Sequence, residues 1–157
     1  MKSPFPRLYA IVDRAQTGDR HPAAVAADLV RAGVRLVQYR DKRATSREMY
    51  EWGRAVLDEA RRSGAVFILN DRADVARGMG ADGVHVGRDD LPVEMAREIL
   101  GAEKWVGHSA HDVDQVREAD RSSADYVAFG PIFATLSKEN PGPVVGLDGL
   151  RLAREAT

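Results

Sequence analysis

The chain has 157 residues, 44% of them apolar and 30% charged, with a formal net charge of −1 and no cysteine. That size holds one domain with a substantial core, and the composition is that of a globular rather than a disordered chain. Near-neutrality argues against nucleic acid or an anionic membrane as the main partner, the lack of cysteine excludes disulfides and thiolate metal sites and fits a cytoplasmic setting, and no apolar run approaches the roughly 20 residues of a membrane span.

In chain order, β-prone apolar runs alternate with amphipathic stretches. The first strand is expected at "LYAIVD", ending in Asp13. Its apolar run is too short for a secretory leader, and prolines precede it. A helix follows over Pro22–Ala32, with proline near its start and Gly33 at its end. The second strand, "LVQYRD", continues into Lys42 and sets Gln38, Arg40 and Lys42 at every second position. Side chains two apart share one face of an extended chain, so a row of donors emerges where the strand ends. An amide, a guanidinium and an ammonium suit the oxygens of a phosphate or pyrophosphate. The competing reading is a solvated strand end.

A long helix is expected over Ser46–Ser63, stopped at Gly64, and the third strand at "VFILND". Asn70 and Asp71 stand at that strand's end. After a helix at Asp74–Met79 comes the strand "GVHVG", with His85 inside it and Asp89 and Asp90 just beyond. Asp71 and Asp90, from adjacent strand ends, could share one hard cation such as magnesium, which takes one or two carboxylates. Turn and cap roles are the alternative for both, and the better one for Asp89.

A helix over Pro92–Leu100, stopped at Gly101, leads to the strand "WVGHS", which ends in Ser109 between His108 and His111. No nucleophile elbow surrounds this serine, so it reads as a hydrogen-bond donor to an anion. The histidines lack the helical i, i+4 spacing of a zinc pair and read as capping or packing residues. Beyond a helix at Asp112–Asp120, the strand "YVAFG" opens into the loop "FGPIFATLSKENPGP", which carries Thr135, Ser137 and Lys138. Hydroxyls and an ammonium in so long a loop point to an anion-binding lid or, failing that, a connector. A last helix is expected at Leu147–Ala156.

This β/α alternation, with near-continuous apolar strands, predicts a parallel sheet covered by helices. A doubly wound nucleotide-binding sheet would show a glycine-rich turn after its first strand, and "VDRAQTGDR" is not one. Strand after strand instead ends in polar residues, the pattern of a (β/α)8 TIM barrel. About six of the eight βα units are present, in one partial barrel domain spanning residues 1–157. Barrels of this class need about 200 residues or more. The expectation is therefore a truncated form or a sheet edge closed by another chain, as in a homo-oligomer or strand-exchanged dimer.

Taken together, "VQYRDK", "NDRADVARGMGADGVHVGRDDLP", "VGHSAH" and "DYVAFGPIFATLSK" resemble the thiamine-phosphate synthase family, in order and spacing, from about Leu8 to Leu150. The resemblance implies a (β/α)8 barrel that joins a pyrimidine diphosphate to a thiazole phosphate and releases pyrophosphate. By position, Gln38, Arg40, Lys42 and Asn70 match contacts to the pyrimidine diphosphate, and Ser109 and Lys138 further contacts to it. Asp71 and Asp90 match magnesium ligands, and Thr135 and Ser137 match the hydroxyl pair that holds the thiazole phosphate. Arg40, Lys42 and Lys138 would stabilise the departing pyrophosphate. Ser137 stands where the family usually has a second threonine, and Ala134 where proline is common. The glycine-rich turn after a seventh strand and the small-residue turn near an eighth, which complete the family's thiazole-phosphate site, do not occur in this sequence.

Two other readings belong beside the transferase. One is a thiazole tautomerase-like isomerase on the same barrel, in which His111 would be an acid/base residue. It has less need of the two carboxylates and the hydroxyl pair. The other is an inactive phosphate-binding or interaction protein whose open edge pairs with another chain.

Overall fold

A computed structural model describes residues 4–135 and 142–157. The described residues contain six strands: β1 (Ala10–Asp13), β2 (Leu36–Arg40), β3 (Val66–Asn70), β4 (Gly83–Val86), β5 (Trp105–Ala110) and β6 (Tyr126–Phe129). They alternate with α1 (Pro22–Arg31), α2 (Ser46–Arg62), α3 (Ala73–Met79), α4 (Val93–Leu100), α5 (Val113–Asp120) and α6 (Gly146–Glu155). Every expected element is present, with ends that differ by a residue or two. A short 3-10 turn at Arg14–Gln16, capped by the Asp13 carboxylate, is the addition.

The helix starts follow local chemistry. Thr45 and Glu48 form a reciprocal capping box at the head of α2, and the Asp112 carboxylate caps α5. Gly33, Gly64 and Gly101 all take positive φ after their helices, a region glycine enters without steric cost; Gly101, with ψ at 170°, does so without forming a left-handed helical cap.

All five strand pairings are parallel, and the sheet order is the chain order, β1 to β6. A doubly wound sheet reverses its strand order part-way, whereas a barrel winds in sequence. The sheet is also curled. In a flat sheet, β1 and β6 would lie roughly 24 Å apart, at about 4.8 Å per strand step. Yet the hydroxyl of Tyr9, just before β1, lies 2.9 Å from that of Tyr126 on β6. Six strands thus form a half-barrel with helices on its convex side.

Alternation along the strands sorts the side chains. Val37 and Tyr39, Phe67 and Leu69, Val84 and Val86, and Val106 face the helices and make the main buried cluster with α1 to α4. A smaller cluster under α5 and α6 gathers Ala110, Val116 and Ala153 against Val127 and Phe129. The opposite face of each strand lines the concave side. Among the described residues, no helix is long and apolar enough to cross a membrane.

Candidate active site

The concave face opens at the carboxyl ends of the strands into a cavity of about 1040 Å³. Gln38, Arg40, Lys42, Asn70, Asp71, Asp90 and Ser109, all singled out from the sequence, line it together. They come from β2, β3 and β5 and from the loops after β2, β3 and β4, so residues 71 positions apart in the chain meet here (Gln38 to Ser109).

The donor row on β2 is graded in depth. Gln38 is 2% exposed, the Arg40 side chain 17% and that of Lys42 50%. The amide is therefore a fixed group deep in the cavity, and the ammonium sits at its mouth. Each cation has a carboxylate partner from a neighbouring strand end. Arg40 pairs with Asp13, its register neighbour on β1, and Lys42 Nζ lies 2.5 Å from Asp71 Oδ2. Asp13 has two tasks, since its other oxygen accepts from the Ala15 N–H at 3.0 Å.

Asp71 holds φ at +66°, the one described non-glycine residue with positive φ. Its backbone N–H donates to the His85 carbonyl at 2.8 Å, which ties the turn after β3 to β4. Aspartate tolerates this left-handed region better than most side chains. The turn brings the Asp71 carboxyl within hydrogen-bonding reach of Asp90. Burial pushes the Asp71 carboxyl up to about 6, Asp90 pushes it the same way, and Lys42 opposes both. Asp90 is steadied by the Gly87 N–H, which donates to its Oδ2 at 2.7 Å. Its turn role and its place beside Asp71 are thus held by the same residue.

Below this mouth lies a polar chain. Gln38 Nε2 donates to the Tyr9 hydroxyl at 2.6 Å, and the Tyr9 and Tyr126 hydroxyls meet at 2.9 Å. Tyr126 also lies 3.2 Å from His85 Nδ1, and His85 Nε2 lies 2.9 Å from Ser109 Oγ. Burial pushes the Tyr9 phenol up to about 12 and the Tyr126 phenol well above its usual value, so both stay protonated. His111 also lines the cavity, and its Nδ1 lies 2.5 Å from the Gly130 carbonyl.

Thr135 is described but does not line this cavity, and Ser137 and Lys138 lie outside the described residues. Sequence reading placed polar groups at Asp13 and His85 without giving either a task, and it passed over Tyr9 and Tyr126. The strand register would be needed to see them: Asp13 pairs with Arg40, and Asn70, His85, Gly107 and Tyr126 form one continuous row across β3 to β6.

A parallel sheet wound in chain order, with polar groups concentrated at its carboxyl ends, defines a β/α-barrel type of enzyme. Within that type, the chain belongs to the thiamine monophosphate synthase family, whose model matches residues 8–157. It is 49% identical over 157 residues to the thiamine-phosphate synthase of Koribacter versatilis, covering 98% of this chain and 74% of that protein. With the thiamine-phosphate synthase of Chloroflexus aurantiacus it shares 44% identity over 149 residues, covering 95% and 68%. The thiamine phosphate pyrophosphorylase structure from Pyrococcus furiosus superposes with a TM-score of 0.82 at 34% identity, covering 95% of this chain and 69% of that one. These relatives place the chain with the transferase, not with the isomerase or the non-enzyme.

Proposed function

We propose that this chain condenses 4-amino-2-methyl-5-hydroxymethylpyrimidine diphosphate with a thiazole phosphate, giving thiamine phosphate and pyrophosphate. The observation that carries this reading is the convergence of Gln38, Arg40 and Lys42 with Asp71 and Asp90 on one cavity. Gln38, Asn70 and Ser109 line its depth and hold the pyrimidine diphosphate, with Ser109 joining Arg40 and Lys42 on its charged end. Thr135 and Ser137 are assigned to the thiazole phosphate and Lys138 to the diphosphate by family position. We also read the chain as one cytoplasmic domain of (β/α)8 ancestry that acts on small molecules.

The reaction exchanges one bond at the pyrimidine's exocyclic methylene. The carbon–oxygen bond to the diphosphate breaks and its electron pair leaves with pyrophosphate. The electron-rich aminopyrimidine delocalises the positive charge on that carbon, and the thiazole nitrogen's lone pair forms the new carbon–nitrogen bond. No side chain acts as a nucleophile. Arg40 and Lys42 hold donors where negative charge grows on the departing oxygens, and a partly dry cavity strengthens that interaction. Their present partners, Asp13 and Asp71, keep them extended and in place.

Asp71 and Asp90 fit magnesium: two carboxyls within hydrogen-bonding reach of one another on adjacent strand ends form a hard-oxygen donor set. When bound, the ion supplies Lewis-acid charge neutralisation to the diphosphate.

Arg40→Ala tests the assignment. Loss of a charge-assisted hydrogen bond is expected to weaken binding of the pyrimidine diphosphate by roughly 10- to 100-fold, with binding of the thiazole phosphate changed far less. Equal losses for the two substrates in calorimetry would reduce Arg40 to a generic attractor of anions.

A further inference from the structure

The partly buried chain Gln38–Tyr9–Tyr126–His85–Ser109 links two of the assigned substrate contacts through three residues that have no assigned role. Gly107 makes it possible. Tyr126 is the register partner of Gly107, which in turn pairs with His85. A Cβ on Gly107 would fall 2.0 Å from Cζ of Tyr126. The glycine leaves a gap in β5 through which the Tyr126 ring reaches across to stack on His85, with 5.6 Å between ring centroids.

Proton accounting gives the chain a direction. Gln38 donates through Nε2, so Tyr9 accepts there and must give its own proton to Tyr126. Tyr126 then donates to Nδ1 of His85, which places the imidazole proton on Nε2, facing Ser109 Oγ. The serine hydroxyl proton is left for the cavity, and so is the Gln38 carbonyl oxygen. Turning the Gln38 amide over reverses every link, leaving Gln38 a donor and Ser109 an acceptor toward the cavity. Any mixed state leaves one of these partly buried bonds unmade, which costs about tenfold in population.

We propose that Tyr9, Tyr126 and His85 are positioning residues that couple the two ends, so that a substrate anion at Ser109 fixes Gln38 as an acceptor and thereby selects an amino-bearing over an oxo-bearing pyrimidine. An anion needs a donor from Ser109. That demand runs through the chain and holds the Gln38 carbonyl toward the ring, where an amino group donates and an oxo group does not. Gln38 by itself could turn over and satisfy either ring; anchored through four links to Ser109, it cannot do so without reversing them all.

This inference rests on the proposed site for the pyrimidine diphosphate, and the test separates the two. With magnesium present, dissociation constants are measured for the 4-amino pyrimidine diphosphate and its 4-oxo analogue. The proteins are the unmodified chain, Gln38→Ala, Tyr9→Phe and Tyr126→Phe. The unmodified chain is expected to prefer the amino compound by at least about tenfold. Both phenylalanine variants should lose most of that preference, chiefly through tighter binding of the oxo compound, while folding as before. A general loosening of the barrel would weaken both ligands together and leave their ratio unchanged. A preference that persists in both phenylalanine variants but disappears in Gln38→Ala would overturn the coupling and leave the site standing. Unchanged affinity for both ligands in Gln38→Ala would overturn the site, and the coupling with it.

Discussion

Asp71 combines three constraints that are seldom met in one residue: a left-handed backbone, a largely buried carboxyl and a second acid beside it. Its φ of +66° bears on how it should be tested. Alanine would add backbone strain of about 1 kcal/mol, so Asp71→Asn, which tolerates that region, is the cleaner substitution. Asp71→Asn and Asp90→Asn are each expected to lower magnesium-dependent pyrophosphate release by about 100-fold or more, with melting temperatures nearly unchanged. Unaltered rates in both would remove the carboxylates from the metal site. Because burial and Asp90 raise the Asp71 carboxyl to about 6, a cation must displace a proton below that pH. Magnesium affinity is expected to fall by about tenfold per pH unit below pH 6, with proton release visible in calorimetry in buffers of different ionisation enthalpy. The sign for the metal-free fold is the reverse. A carboxyl raised on folding favours the folded state in full only below its ordinary value of 3.8, and that contribution is lost as pH rises from there through about 6. Gln38, Arg40 and Lys42 were legible because a strand has a period of two. Their partners were not, since Asp13 meets Arg40 only through the β1–β2 register, which no local pattern encodes.

At the scale of elements, the helices show what short-range chemistry can and cannot announce. The head of α2 carries its capping box within one turn, Thr45 to Glu48, and the start expected at Ser46 is the one observed. Thr45→Ala is expected to cost about 1 kcal/mol, read as a lower urea midpoint with an unchanged slope. An unchanged midpoint would mean that packing of α2 on the sheet alone holds that end. The cap of α1 is the His21 ring, whose Nδ1 accepts from Ala23 N–H at 3.2 Å. Histidine is not among the usual capping residues, so only Pro22 marked that start. The 3-10 turn after β1 escaped notice for a similar reason. It is a three-residue element fixed by Asp13, a residue that the sequence presents simply as a strand end.

The molecule as a whole is a sheet wound in chain order whose curl brings its first and last described strands into contact through Tyr9 and Tyr126. That curl was foreseeable from polar strand ends. The filling of the concave side was not, because it depends on Gly107 leaving room for a ring from the next strand. Gly107→Ala is expected to expel the Tyr126 ring and destabilise the fold by about 1–3 kcal/mol, seen as a lower melting temperature. Retained stability would mean that the ring has another place to go. The mouth, by contrast, collects groups that need no such fit, and it is there that the proposed chemistry resides. The most direct test of that chemistry is pyrophosphate release by this 157-residue chain, given both substrates, with magnesium and then with excess chelator. Magnesium-dependent release, matched by thiamine phosphate, is the expected result; a folded chain that releases no pyrophosphate under those conditions would contradict it.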